Sequence, residues 1–161
     1  MNEYISNIAS FSSDTLIILG LTALLMIIGF KFGKSVLVSI ILSLYITIFL
    51  YSNTFLTDKL FFTNSGETMF LWNTLAILGI FFVPIYILIR RFVQTEFGRG
   101  SLGLLKLLLL SASTALFIMA ILYQKLPIDD LYRFSPDISS LLGGEISYTL
   151  LLLAPLIILF F

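Results

Sequence analysis

Three groups of residues in this chain have types and spacings that chemistry could use. The first is the acidic set Asp129, Asp130 and Asp137, which lies in a polar stretch running from Leu126 to Glu145. Closely spaced carboxylates can hold a cation, transfer a proton or meet a basic partner. Here, however, they sit among turn and cap residues that already account for them. The second group is Ser35, Ser39, Ser43 and Thr47, hydroxyl residues repeated at intervals of four. On a helix that spacing makes one stripe, fit either to line a polar path or to let a neighbouring helix approach closely. The third is Gly98-Arg99-Gly100-Ser101-Leu102-Gly103, glycine-rich like a phosphate-cradling loop but following a helical segment instead of a strand. The chain contains no histidine and no cysteine, so imidazole and thiolate ligands are absent. Catalytic, cofactor-binding and metal-binding residues are therefore not expected, and the chain reads as a non-enzyme that needs no cofactor.

The elements that carry these groups are apolar runs. They extend from Thr15 to Phe30, Ser35 to Thr57, Thr68 to Ile89, Leu107 to Gln124 and Ile146 to Phe161. A bilayer core about 30 Å thick needs roughly 20 apolar residues at 1.5 Å per residue, and lysines at the ends of the shorter runs can snorkel. Hydrophobic residues make up 59% of the 161 residues and charged residues only 11%, far below the charged fraction of a soluble domain. A mean hydropathy of +1.09 points the same way. The expected fold is all-α: a polytopic bundle of four to five membrane helices with one short interfacial helix, forming a single integral membrane domain over residues 1–161. No charged side chain is expected at mid-membrane depth. Pro84 should kink the third helix, and the last run, interrupted by Pro155, is expected to span.

Topology follows from the basic residues. Lys31, Lys34, Arg90, Arg91, Arg99 and Lys106 fall on one side if the runs cross in succession, leaving Lys59, Lys125 and Arg133 on the other. Positively charged short loops stay cytoplasmic, so the N-terminus, Met1 to Asp14, is expected outside. That segment has no basic residue and does not resemble a cleavable signal peptide. The turn Gly29-Phe30-Lys31-Phe32-Gly33-Lys34 should reverse the chain tightly, making the first two helices antiparallel neighbours. The external loop Ser52 to Thr68 mixes aromatic and polar residues as an interfacial segment does. Near Trp72, an aromatic-belt anchor, Asn73 and Thr74 sit close to the outer boundary. In the last loop, Ser135 is an N-cap candidate, Pro136 a first helical residue and Gly143 a stop. They delimit a short helix with Ile138, Leu141 and Leu142 on one face, resting on the membrane surface.

Taken together, the first-turn segment, the following Ser43-Leu44-Tyr45, and Gly98, Gly103, Leu104, Leu105 and Lys106 ahead of the fourth run give the chain a likeness to a known group. It resembles the colicin V production protein family (CvpA-like), small bacterial inner-membrane proteins, over most of residues 14–123. The resemblance implies a multi-pass inner-membrane location and a role in bacteriocin production or envelope physiology.

The expected function is that of a non-enzymatic inner-membrane scaffold or accessory factor. The alternative is a subunit of an oligomeric channel or transporter lined by Ser35, Ser39, Ser43 and Thr47. Partners are then the lipid bilayer and either another membrane protein or further copies of the chain, with no nucleic acid. The hydroxyl stripe is read as a helix-packing seam, and Asp129, Asp130 and Asp137 as the partner-facing surface.

Overall fold

The computed structural model describes residues 2–53, 67–93, 101–125 and 134–160. Among them there are only helices: α1 (Asn2–Phe32), α2 (Lys34–Asn53), α3 (Glu67–Phe92), α4 (Ser101–Lys125), α5 (Pro136–Gly143) and α6 (Glu145–Phe160). Four of these contain segments long and apolar enough to cross a membrane, namely Ser13–Phe32, Lys34–Asn53, Leu71–Phe92 and Gly103–Lys125. The bent pair α5–α6 supplies a fifth if it is counted as one broken span. The all-α, multi-pass membrane fold expected from the apolar runs is therefore what the chain adopts.

The chain groups into two compact units. One holds Met1–Lys31 with Phe97–Phe161, and the other holds Phe32–Glu96. In the second unit α2 packs along α3. In the first, α4 packs against α5 and α6, and α5 against α6. The junction between α1 and α2 turns at Gly33, whose φ of 88° only glycine adopts without strain. That turn lies at the boundary between the two units.

Three helix boundaries differ from the expectation. Helix α1 does not begin at the apolar run: it extends back through Asp14 to Asn2, because nothing before Thr15 breaks a helix and the segment lacks glycine and proline. Helix α4 starts at Ser101, inside the glycine-rich segment. Gly143 belongs to α5, and the stop is Gly144, with an extended backbone at φ −68° and ψ 131°. Pro84 lies within the continuous helix α3, where it removes one backbone donor. The loop expected to lie at the interface falls mostly on residues 54–66, outside the described residues.

Helix α4 is the most enclosed element. Ser111, Ser113 and Thr114 are buried beside Ala115, Phe117 and Ala120. Small residues let neighbouring helices close in, and the hydroxyls return to their own helix: Ser111 donates to the Leu107 carbonyl, and Ser113 and Thr114 both donate to that of Leu110. No donor in this group is left for a ligand.

Candidate functional site

The site is built where α5 meets the rest of the first unit. The eight-residue helix α5 begins at Pro136, which has no N–H to satisfy, with non-helical Ser135 before it. The first helical bond runs from the Ser139 N–H to the Ser135 carbonyl at 2.9 Å. A serine in this position ordinarily caps the helix with its own hydroxyl. Here it does not: Ser135 makes no side-chain cap bond, and its Oγ is buried without a partner. Instead the Ser135 backbone N–H donates to Oδ2 of Asp14 at 2.7 Å, a bond closed across 121 residues of sequence. Asp14 is fully buried. A carboxyl group from α1 thus satisfies one of the orphan donors at the start of α5, where the helix dipole also favours negative charge.

An apolar cluster supports this tie. Ile138 and Leu142 of α5 are buried with Met119 and Ala120 of α4. Around them pack Ile18 and Leu21 of α1, Tyr123 of α4, Phe134, and Tyr148 and Leu151 of α6. Tyr123 and Phe134 meet edge to face, with centroids 5.9 Å apart, a favoured aromatic arrangement. Asp14, Ile18, Leu21 and Leu25 recur at helical spacing, so the carboxyl group lies on the same face of α1 as residues that pack inward. At the far end of α5, the Gly144 N–H donates to the Ser140 carbonyl and the Gly144 carbonyl accepts from the Tyr148 N–H. One extended residue therefore ends α5 and starts α6, which departs at 71°.

The expected candidates divide around this site. Asp137 lies in the first turn of α5 and is exposed, as are Pro136 and Ser140. Asp129 and Asp130 lie outside the described residues. Leu141, expected on the apolar face with Ile138 and Leu142, is 42% exposed and points away from the cluster. The hydroxyl stripe belongs to the other unit. Ser39, Ser43 and Thr47 are buried and Ser35 is half-buried. Ser39 donates to the Ser35 carbonyl and Ser43 to the Ser39 carbonyl, so two members of the stripe are internally satisfied. Thr47 on α2 and Thr74 on α3 are buried with unpartnered hydroxyls. Among the described residues no group of three or more acidic side chains is arranged to hold a metal.

Asp14 is the residue that sequence reasoning missed. It looks like the last polar residue before a membrane run. The available signal was its register with Ile18, Leu21 and Leu25, but a helix apolar on nearly every side does not announce which face turns inward. Neither a family model, nor a curated protein, nor a solved structure matches the chain.

Proposed function

We propose that the chain is a non-enzymatic scaffold or accessory factor of a bacterial inner membrane, with its N-terminus outside, and that α5 is the surface it offers to a membrane-protein partner. The supporting observation is the mounting of α5. Its inner face is packed on α4 and α6, the Ser135 that precedes it is tied to α1 through Asp14, and its outer face displays Asp137 and Leu141. Polar and apolar groups held on a rigid base are suited to recognition, because little ordering entropy remains to be lost on binding. The likeness to the colicin V production family accords with this role, and rests on the short segments quoted above.

Affinity purification of the full chain from its native membrane tests the reading. Asp137→Lys and Leu141→Ser should each deplete a co-purifying membrane protein at least several-fold while leaving abundance and melting temperature near those of the parent. A partner profile unchanged in both variants would sink it. The orientation has its own test, made clean by the absence of native cysteine. Cysteines placed at Gly33 and Thr95 should resist an impermeant thiol reagent in intact cells, and one at Asn64 should react.

A second reading, a subunit of an oligomeric channel or transporter, draws on the second unit. The buried, unpartnered hydroxyls of Thr47 and Thr74 are groups that a path of water or ions would satisfy. Ion flux through proteoliposomes of the purified chain, abolished by Thr47→Val with Thr74→Val, would favour it over the scaffold.

A further inference from the structure

The last turns of α3 carry a ladder of side chains. Phe82, Tyr86 and Arg90 lie at intervals of four on one face. Phe82 and Tyr86 stack with ring centroids 5.8 Å apart and planes 14° from parallel. Arg90 folds back over the Tyr86 ring, its guanidinium carbon 6.0 Å from the centroid, and its Nη1 donates to the Tyr86 hydroxyl at 2.8 Å. The ladder therefore fixes a normally mobile side chain. It spends one of the five guanidinium donors and leaves the rest in a planar fork.

The surroundings determine what that fork meets. Ile80, Val83, Ile87 and Leu88 are exposed apolar residues on α3, and Phe92, at the end of the helix, is 84% exposed. Arg91 is exposed beside Arg90, and among the described residues neither arginine has a carboxylate partner. In the membrane reading, α2 begins with Lys34 at the face where α3 ends, adding positive charge to the same end of this unit. Trp72, 71% exposed and spaced to share the helix face of Val83, Tyr86 and Arg90, marks the opposite boundary of the same wall. A lipid-facing apolar wall thus ends in a pre-oriented guanidinium and a second cation.

We propose that Tyr86, Arg90 and Arg91 form a docking site for an anionic phospholipid, with the phosphodiester held by the Arg90 fork and an acyl chain lying along Val83 and Ile87. A phospholipid supplies both complements in one molecule: oxygen acceptors for the fork and hydrocarbon for the wall below. An acidic protein segment would leave that wall uncovered, and inorganic phosphate would gain nothing from it.

The test uses the full chain in mild detergent, supplemented with either phosphatidylglycerol or phosphatidylcholine, with bound lipid counted by native mass spectrometry. The parent should retain phosphatidylglycerol over phosphatidylcholine by about twentyfold or more, the order expected of two interfacial arginines. Arg90→Gln should remove about fivefold of that retention, and Arg90→Gln with Arg91→Gln about twentyfold. Tyr86→Phe keeps the charge and the stack but frees the guanidinium, so it should lower retention in part. It also carries the test if the arginine variants fail to fold. Lys125→Gln, at the C-terminus of α4 in the first unit, should change nothing. Equal retention of the two lipids by the parent would overturn the site, as would undiminished phosphatidylglycerol in folded double variants. Displacement of the lipid by millimolar inorganic phosphate would overturn the lipid assignment in favour of a phosphate site.

Discussion

The hydroxyl stripe on α2 and the Asp14 tie to α5 handle their polar groups in opposite ways. In the second unit, the α2 hydroxyls of Ser39 and Ser43 bond to carbonyls four residues back on their own helix. Such bonds satisfy the hydroxyl locally and specify nothing about a neighbour. In the first unit the decisive bond runs from α1 to the start of α5 and joins residues 121 apart. The stripe on α2 should therefore depend on side-chain size, whereas the tie at Asp14 should depend on chemical identity. Substitutions that separate size from chemistry can break this contrast.

The largest effect is expected at Asp14. Asp14→Ala removes the acceptor and leaves the buried Ser135 N–H unpaired, a penalty of about 1 to 3 kcal/mol. It should lower the melting temperature in detergent and speed proteolysis near α5. Asp14→Asn keeps an acceptor oxygen with nearly the same volume and should recover most of the loss. Equal damage from both would mean that the charge matters more than the hydrogen bond. If neither were damaging, the long-range tie would contribute nothing to the fold.

Ser39 supplies the opposite test. It is fully buried on α2, so Ser39→Leu must displace whatever packs there, at about 1 to 3 kcal/mol for an overpacked site. Ser39→Ala deletes only a locally satisfied hydroxyl and should be nearly silent in the same thermal assay. Damage from Ala comparable to that from Leu would show that the hydroxyls themselves matter, and would strengthen the polar-path reading of the stripe.

How much of this was legible beforehand follows from the same contrast. The crossing helices were readable because each unbroken apolar run has a length the bilayer dictates. The shared burial of Ser39, Ser43 and Thr47 was readable because a period of four is local information. The short helix was readable from Pro136 and its flanking residues, but its cap chemistry was not. Ser135 has the right residue type for a self-cap, and only the fold shows that Asp14 takes the N–H. That Leu141 stays exposed beside buried Ile138 and Leu142 was not readable, because eight residues give two turns, too few for spacing alone to separate a buried position from its exposed neighbour. The division into two units was likewise hidden, since the charge and hydropathy pattern around Gly33 marks a turn without saying which helices group together.

A smaller effect is expected at the hinge between α5 and α6. A Cβ added to Gly144 would lie 2.8 Å from the Ser140 carbonyl oxygen, a backbone atom that cannot swing aside. Gly144→Ala should therefore shift the last turn of α5 and weaken the bond its own N–H donates to that carbonyl, costing roughly 1 kcal/mol. Hydrogen exchange at Gly143 and at the substituted position should rise while that of α2 and α3 stays unchanged. Protection unaltered across α5 would show that the helix end is looser than its bonds imply.

The smallest expected effect discriminates most finely between a helix that caps itself and one capped from elsewhere. A serine acting as its own N-cap loses about 1 kcal/mol on replacement by alanine. The Ser135 hydroxyl makes no cap bond, and its oxygen is buried without a partner, so it contributes desolvation cost without a compensating contact. Its backbone N–H, the group that Asp14 holds, is untouched by the substitution. Ser135→Ala should then leave the melting temperature unchanged or raise it slightly, and should do so only while Asp14 is present. In an Asp14→Ala background the released Ser135 can turn its hydroxyl toward the Ile138 N–H, the donor that an N-cap serine takes, and the same substitution should turn destabilising. A double-mutant cycle reads this coupling directly. Additive effects across the cycle would mean that Asp14 and Ser135 do not share the task of starting α5, and the helix would then be held by its apolar face alone.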